Sequence, residues 1–442
     1  MDFLIKAAQL ILSLAILVVL HEFGHYLAAR FFKIRVEKFY LFFNPWFSLV
    51  KKKIGDTEWG IGWLPLGGYV KIAGMVDESM DKEQMAQPVQ PWEFRAKPAW
   101  QRLIVMIGGV VVNLIVGVVV YMFVVFTWGE EQIHTKDLSS GLSIHPYMEK
   151  YDLYSGDNIL AINGKEIKHI NDINNGIFLR DEYKLKVQRP DGKIENITLP
   201  EGAEYDMFEN GAFPAISLRA TAAIDSVNTG GSGDKAGFKK GDVFVSIAGK
   251  KVLYDEVLSI MKPLANKTID IVVRRDGKNI TLSPELSSKG TIGIVFNQYK
   301  LIDNSKIRQI DYTFGQSFRR GVARGYTTLS DYVGQMKFLF TKKGATSIGG
   351  FGAIGNMFPA SWDWEKFWLN TALISIILAF MNILPIPALD GGHVVFLIYE
   401  MVRGKEAPQK VLETAQYIGF FILMGLLLYA NGNDIYRLIA GG

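Results

Sequence analysis

The sequence LVVLHEFGHYLAAR at residues 17–30 places three ionisable side chains, His21, Glu22 and His25, in an otherwise apolar helix. Histidines four residues apart share one helical face, and a carboxylate beside the first completes the pattern of a metal site with its general base. Residues 7–20 are almost wholly apolar, so these groups are predicted at membrane depth, where ionisable residues are costly and mark function. The stretch therefore predicts a metal site inside a membrane-spanning helix.

A helix whose histidines are satisfied by polar neighbours is the alternative. Burying two imidazoles and a carboxylate without a metal or another partner costs several kcal/mol, however. The motif also has a low chance frequency in a chain with six histidines and 44 acidic residues. The metal-site interpretation of His21, Glu22 and His25 is therefore preferred.

The composition of the chain points in the same direction. It has 442 residues, 49% of them hydrophobic, and a positive mean hydropathy, which favours a polytopic membrane protein of several domains over a soluble enzyme. The net charge of +4 gives no support for nucleic-acid binding. The sequence contains no cysteine, which excludes disulfides, thiolate zinc ligands and a cysteine nucleophile.

The first hydrophobic segment is predicted to remain in the membrane. Residues 10–19 have the length of a signal-peptide core, but Lys6 is the only positive charge before them and no small-residue cleavage site precedes the motif. A helix over residues 3–32 is about 45 Å long and exceeds the hydrocarbon core of a bilayer. Its end, with Arg30 and Lys33, should reach an interface.

Residues 34–75 change from helical to strand-like character. Aromatic and β-branched residues are separated by turn signals such as Asn44-Pro45, and they predict a membrane-associated sheet with strands near 35–43, 46–52, 58–64 and 68–72. The aromatic content is too high for a sheet in water. Two roles remain open: an edge strand that pairs with an extended substrate, or a scaffold only.

A second membrane helix is predicted over Leu103–Trp128, after a polar loop at 77–99. Its glycines permit close helix packing. Asn113 lies within this helix and must find a polar partner, because an unsatisfied amide in hydrocarbon is costly. Asn113 either faces the site or bridges two helices, and both remain open. Residues 1–128 form the predicted N-terminal membrane core.

The region from residue 130 to about 298 is soluble in character and contains an internal repeat. LYSGDNILAINGKEI at 153–167 matches FKKGDVFVSIAGKKV at 238–252 with an offset of 85 residues, which indicates two modules, over 129–220 and 221–305. The form G-D-x-h-x-x-h-x-G resembles PDZ domains of the bacterial protease type. The resemblance implies two small α+β domains with grooves that accept a peptide strand. Recruitment of substrate and a size filter over the membrane site remain alternatives.

A connector at 306–366 leads back to apolar sequence. Its residues 317–340 have the pattern of an amphipathic helix, whose apolar stripe is typical of ordinary packing, although a gate is conceivable. The glycine-rich residues 347–356 are interpreted as a flexible turn. The remaining residues, 367–442, are predicted as a C-terminal membrane core with a third helix from about Trp368 and a fourth over about 415–430.

The third membrane helix contains the candidate for a further metal ligand. Pro385 and Pro387 must break it, and irregular backbone at membrane depth is tolerated only in a protein interior or a wet cavity. A hydrolytic zinc site has three protein ligands and one open position. Asp390, just beyond the break, is favoured as the third ligand, and His393 is the alternative. Glu22 is expected to take a proton from the activated water.

The basic residues near membrane ends predict the topology. They cluster at 33–53, 95–102 and 403–410, which should therefore face the cytoplasm. Both termini and the tandem modules are then expected outside. The predicted fold is a polytopic α-helical membrane protein with four transmembrane helices, a membrane-associated sheet and two tandem PDZ-like domains.

Two motifs together carry a specific resemblance. HEFGH at 21–25 and NILPIPALDG at 382–391, separated by tandem PDZ-like modules, resemble the site-2 protease family of intramembrane zinc metalloproteases, of the bacterial regulator of sigma-E protease type. The resemblance implies that His21, His25 and Asp390 bind zinc and that Glu22 is catalytic. It also implies a substrate-handling region. The candidates for that region are Asn382, Pro385 and Tyr69, with Asn113 as a further candidate.

The same resemblance implies the substrate and location. The expected substrate is a single-span membrane protein, such as an anti-sigma factor already shortened outside the membrane, or a remnant signal peptide. The expected location is the bacterial inner membrane, with the PDZ-like domains on the periplasmic side and the protein monomeric. A membrane-anchored scaffold or chaperone with a vestigial metal site is one alternative. A transporter is another, although four helices without inverted repeats argue against it.

Overall fold

The computed structural model describes residues 2–65, 67–75 and 87–440. The chain divides into two compact units. The first unit comprises Met1–Gly129, Asp311–Val333 and Gly344–Gly442, and the second comprises Glu130–Ile310 and Gly334–Lys343. The first unit contains the long apolar helices, and the second contains most of the strands.

Two long apolar helices begin the first unit: α1, Asp2–Phe31, and α2, Ala99–Trp128. The predicted first helix is confirmed. The second starts four residues before the predicted Leu103, directly after Pro98, because proline is tolerated where a helix begins. Residues 77–86 of the predicted loop lie outside the described residues, and one 3-10 turn, Phe94–Ala96, precedes α2.

Glycine allows α1 and α2 to approach closely. Gly24 of α1 lies against Gly108 of α2, and a Cβ atom at either position would overlap the backbone of the other residue. Small residues have this role where membrane helices pack. The crossing brings the HExxH segment of α1 against the middle of α2.

The predicted sheet is present between α1 and α2 in the chain, with strands β1, Val36–Leu41, β2, Val50–Ile54, β3, Thr57–Ile61, and β4, Tyr69–Ile72. Its order is β2-β3-β1-β4, so β2 and β4 are the edge strands. The second strand starts later than predicted, because Trp46 has a left-handed φ of 69° that interrupts an extended chain. Strand β4 begins beside α1, since a Cβ atom at Gly68 would lie 2.9 Å from the Val18 side chain.

The second unit is built from two larger sheets and two pairs of short strands. The elements of its first half, in chain order, are β5 Glu130–Gln132, β6 Leu142–Ile144, β7 Asn158–Ile162, β8 Lys165–Glu166, α3 Ile170–Leu179, β9 Lys184–Gln188, β10 Ile194–Thr198, α4 Ala203–Glu209 and β11 Ile216–Leu218. The elements of its second half are β12 Ala220–Val227, α5 Ser232–Lys235, β13 Val243–Ile247, β14 Lys250–Lys251, α6 Val257–Met261, β15 Ile271–Arg275, β16 Lys278–Leu282, β17 Ile294–Leu301 and β18 Arg308–Ile310. The short pairs are β5 with β18 and β6 with β11.

The internal repeat is visible in the two larger sheets. The first has the order β10-β9-β7-β8, and the second contains the equivalent series β16-β15-β13 with β14 paired to β13. Each copy packs its own hydrophobic cluster, which includes Ile159 and Phe178 in the first copy and Ile247 and Phe244 in the second. The sequence repeat is therefore a repeat of structure, with one core for each copy.

The aspartate of each G-D motif has the same role in both copies. Asp157 and Asp242 are each 1% exposed. Arg189 donates to Asp157 at 2.7 Å, and Arg275 donates to Asp242 at 2.6 Å. Each carboxylate also accepts a backbone N–H three residues upstream at 2.9 Å. Charge-assisted hydrogen bonds thus satisfy both buried carboxylates and fix the loop before the strand.

The connector differs from its prediction. Helix α7, Phe314–Gln335, buries a face of small residues, Ser317, Gly321 and Gly325, of which the two glycines pack on α2. The stripe predicted as a packing face is largely exposed, with Phe318 at 56% and Tyr326 at 74%. The predicted helix is thus present, but its packing face is the row of small residues, which permit close approach to α2, and not the apolar stripe.

The glycine-rich segment after α7 is helical instead of a flexible turn. Two short helices, α8, Lys342–Ser347, and α9, Phe351–Asn356, occupy this part of the chain. The Asp434 carboxylate accepts the backbone N–H groups of Gly350 and Ala353, at 2.9 and 3.1 Å. A carboxylate that caps a helix start stabilises it, and this long-range cap has no local sequence signal.

Three helices complete the first unit: α10, Trp364–Ile383, α11, Asp390–Arg403, and α12, Gln409–Ala440. The predicted break after the third helix is confirmed. Helix α10 starts earlier than predicted because the Asp363 side chain caps it by accepting the Lys366 N–H. In the described part of the chain, α1, α2, α10 and α12 are the four helices long and apolar enough to cross a membrane.

Candidate metal centre

His21 and His25 lie on one face of α1, as their spacing predicts. Their rings meet edge to face with centroids 4.9 Å apart, and their Nε2 atoms are 3.3 Å apart. The side chains are 13% and 7% exposed, so both imidazoles lie in the interior of the first unit. Two nitrogen ligands therefore converge on one point.

Asp390 reaches the same point from the broken segment. Residues 384–389 form the turn between α10 and α11, and Asp390 is the first residue of α11. Its Oδ2 lies 3.3 Å from His21 Nε2 and 3.4 Å from His25 Nε2. The three side chains form the group of ligand atoms that could hold a metal among the residues the structure describes.

Two glycines after Asp390 make the turn possible. A Cβ atom at Gly391 would overlap the carbonyl oxygens of Ile383 and Leu384, and one at Gly392 would lie 2.7 Å from the Ile386 oxygen. Any larger residue would push the start of α11 away from the end of α10. The glycines therefore set the position from which Asp390 reaches the histidines.

The three ligand atoms fit a zinc ion in size and chemistry. Their separations are 3.3, 3.3 and 3.4 Å. Tetrahedral zinc with ligand distances of about 2.0–2.1 Å requires ligand atoms about 3.3–3.4 Å apart. Asp390 Oδ2 is buried and has no hydrogen-bond partner in the described part of the chain. A buried carboxylate oxygen of this kind calls for a cation, and two histidines with one carboxylate leave a fourth position open.

The α2 helix surrounds the two imidazoles. The Val105 main-chain oxygen lies 2.8 Å from His25 Nδ1, and Asn113 Nδ2 lies 3.3 Å from His21 Nδ1. Gly109, halfway between them, faces both rings without a side chain. Sequence reasoning missed Val105, because its main-chain group carries no residue signature. The four-residue spacing from Gly109 to Asn113 was the sequence signal that these two residues share one face of α2.

The remaining predicted residues lie at different distances from this centre. Asn382, in the last turn of α10, places Nδ2 3.4 Å from His21 Nε2. Glu22 is partly buried in α1 between the histidines, and Pro385 is exposed in the turn. Tyr69 lies on β4, where its hydroxyl donates to Asn44 Oδ1 at 3.0 Å. The structure thus brings Asn113 and Asn382 to the histidines and places Tyr69 in the sheet.

His393 is not part of the ligand group. Its Nε2 lies 3.1 Å from the side-chain nitrogen of Gln416 on α12. It follows Asp390 by three residues in α11, but the group of convergent ligand atoms contains Asp390 only. The geometry agrees with the preference for Asp390 as the third candidate ligand.

Comparison with known families defines the class. The model of peptidase family M50 matches residues 9–426, which is nearly the whole chain. The protein therefore belongs to peptidase family M50, the site-2 protease family. This agrees with the resemblance carried by HEFGH and NILPIPALDG.

Individual relatives cover the full length of the chain. A Vibrio cholerae protein named as a zinc metalloprotease is 28% identical over 463 residues, covering 99% of this chain and 100% of the relative. A Neisseria meningitidis protein named in the same way is 27% identical over 97% of this chain and 98% of its own. The regulator of sigma E protease of Haemophilus influenzae is 26% identical over 99% of this chain and 100% of its own. The protein is thus a zinc metalloprotease with membrane-spanning helices.

Proposed function

We propose that this protein is an intramembrane endopeptidase in which His21, His25 and Asp390 hold the zinc ion and Glu22 is the general base. The observation that carries the proposal is the triangle of ligand atoms, with sides of 3.3–3.4 Å, between two apolar segments. Among the residues the structure describes, it is the candidate metal group. Its place in the apolar unit makes membrane segments the natural substrates.

Each residue near the triangle has a chemical role. Bound zinc supplies Lewis-acid activation of water for attack on a peptide carbonyl. The Glu22 carboxylate accepts the proton that this water releases and returns it to the leaving amine. Asn382 Nδ2 lies close enough to the ligand nitrogens to donate a hydrogen bond to the carbonyl oxygen that gains charge.

The substrate must be unwound before cleavage, because a helical peptide bond is shielded by its own hydrogen bonds. The edge strand β4 begins beside α1 at Val18, one helical turn before His21. We propose that β4 adds the substrate as a further strand and thereby pairs its exposed backbone groups. The opposite edge, β2, is fully exposed and carries Lys51, Lys52 and Lys53, and charged edges disfavour pairing.

The substrate-binding region is proposed to include Asn382, Pro385 and Tyr69, whereas Asn113, the further candidate from the sequence, is fully buried. Pro385 is exposed in the turn before Asp390, and its ring leaves the backbone there without a donor. Tyr69 lies on the proposed pairing edge, where its ring stacks on Tyr40 with centroids 5.3 Å apart.

The proposed substrates are single-span membrane proteins, including anti-sigma factors, and remnant signal peptides. A relative named regulator of sigma E protease supports this class. The proposed location is the bacterial inner membrane, with the tandem PDZ-like modules on the periplasmic side, because the basic clusters flank the opposite ends of the helices. The protein is proposed to act as a monomer.

The test uses purified protein in proteoliposomes with a single-span substrate. Glu22→Gln is expected to keep zinc and lose cleavage by about 10²- to 10⁴-fold. A scaffold would keep its activity in this variant, and wild-type protein without zinc or cleavage would refute the proposal. Glycine or proline in the substrate's membrane span should raise cleavage relative to leucine, because both weaken a helix.

A further inference from the structure

One face of α2 contacts both candidate histidine ligands. Val105, Gly109 and Asn113 are spaced by four residues, so they lie above one another on that face. The Val105 oxygen meets His25 Nδ1 at 2.8 Å, and the Asn113 amide meets His21 Nδ1 at 3.3 Å. Gly109 lies between these two contacts, where a Cβ atom would come 2.5 Å from His25 Nε2.

The contact to His25 fixes which of its nitrogens carries the proton. A carbonyl oxygen only accepts, so the Val105 oxygen requires a proton on Nδ1 and leaves Nε2 free for the ligand triangle. Metal-ligating histidines generally have such a partner on the second ring nitrogen. His21 also contributes Nε2 to the triangle, so its Nδ1 must carry a proton and needs an acceptor.

Asn113 offers that acceptor. Its Oδ1 is buried and has no hydrogen-bond partner among the described residues, while Nδ2 is the atom near His21 Nδ1. An amide keeps its shape when its oxygen and nitrogen exchange places. In the exchanged orientation Oδ1 accepts from His21 Nδ1–H, and no existing contact of Oδ1 is lost.

We propose that Asn113 is the positioning residue for His21: its Oδ1 holds the imidazole in the form that presents Nε2 to the metal. This rests on the ligand set of the proposed function. Asn113 is fully buried, which favours a role behind the ligand over direct contact with a substrate. Ser375 on α10 donates to the Asn113 main-chain oxygen at 2.7 Å, a contact that does not involve the side-chain amide.

The experiment measures zinc affinity by chelator competition in the full-length Glu22→Gln protein, so that no turnover is required. Asn113→Leu has similar size but no acceptor, and we expect it to weaken zinc binding by about 10- to 100-fold. Asn113→Asp keeps an acceptor oxygen and should bind zinc at least as tightly as the parent. Ser375→Ala is the matched control, because it loses a hydrogen bond to residue 113 but leaves the amide in place.

The outcomes distinguish a failure of the proposed ligand set from a failure of the role proposed for Asn113. A Glu22→Gln parent that binds no zinc contradicts the proposed ligand set itself. A parent that binds zinc, with Asn113→Leu equally tight, overturns the role of Asn113 alone. Equal losses in Asn113→Leu and Asn113→Asp would assign the residue to packing and also overturn it. If Asn113→Leu does not fold, the zinc affinity of Asn113→Ala is compared with that of Asn113→Asp instead.

Discussion

Buried carboxylates in the two units have opposite surroundings. In the second unit, Asp157 and Asp242 each accept an arginine and a backbone N–H, so both charges are compensated within the protein. In the first unit, Asp390 Oδ2 has no hydrogen-bond donor in the described residues and lies 3.3–3.4 Å from two imidazole nitrogens. A compensated buried carboxylate stabilises a fold, whereas one that faces other ligand atoms is a site for a cation.

Removing the Asp390 carboxylate should have the largest effect. Asp390→Asn is expected to lower zinc affinity by more than the roughly 10- to 100-fold that outer partners of a ligand contribute, because a ligand itself is lost. Cleavage should fall with zinc content. Metal analysis and single-span substrate cleavage check this. Unchanged zinc affinity in Asp390→Asn would refute the claim that Asp390, unlike Asp157 and Asp242, serves to bind a cation.

Crowding the same centre without changing its charge should have the next largest effect. In Gly109→Ala, the new methyl group would lie 2.5–2.7 Å from atoms of both histidine rings, which must then move. We expect zinc affinity to fall at least tenfold, measured by chelator competition. Gly425→Ala is the control, because a Cβ atom at Gly425 meets no atom within 4 Å. Similar affinities in the two variants would contradict the predicted geometry.

Removing a compensated carboxylate should change stability and leave zinc unaffected. Asp242→Asn weakens the charge-assisted bonds to Arg275, and we expect a loss of about 1–3 kcal/mol in the unfolding free energy of the second unit. Hydrogen exchange in β13 and β15 measures it. Asp225→Asn is the control, because Asp225 and its partner Lys240 are 51% and 77% exposed. A change in zinc affinity in Asp242→Asn would contradict the assignment of Asp242 to stability and of Asp390 to metal binding.

An exposed carboxylate with partners should give the smallest effect. The hydrogen bond from Lys150, followed by those from Tyr151 and Tyr147, lowers the pKa of Asp206 from 3.8 to about 2. Its contribution is therefore complete above about pH 4 and lost as the pH falls toward 2. We expect about 1 kcal/mol or less, since the side chain is 36% exposed. Acid unfolding of wild type and Asp206→Asn should differ only above about pH 2, and an equal pH dependence would contradict this.

Local spacing was sufficient to predict which residues form part of the candidate metal centre. His21 and His25 follow from helical periodicity, and Asp390 follows from the proline break that frees a carboxylate at membrane depth. The Val105 contact was not predictable, because every residue has the same carbonyl group. The need for Gly391 and Gly392 depends on how closely α10 and α11 approach, which only the folded chain defines.

The predictions of the fold that were wrong failed because they depended on features that the sequence pattern does not define. The exposed stripe of α7 was assigned to packing because periodicity identifies an apolar face but not whether another element packs on it. The helix α9 depends on Asp434, far away in the chain. The late start of β2 depends on the left-handed backbone at Trp46. These features depend on how distant segments pack and on single backbone conformations, which the sequence pattern does not specify.

The candidate ligands come from distant parts of the sequence, His21 and His25 from α1 and Asp390 from the start of α11. A ribosome must therefore translate past residue 390 before the proposed group of metal ligands can assemble. A chain that ends before residue 390 would carry the HExxH helix without the proposed third ligand, so we expect it to be inactive.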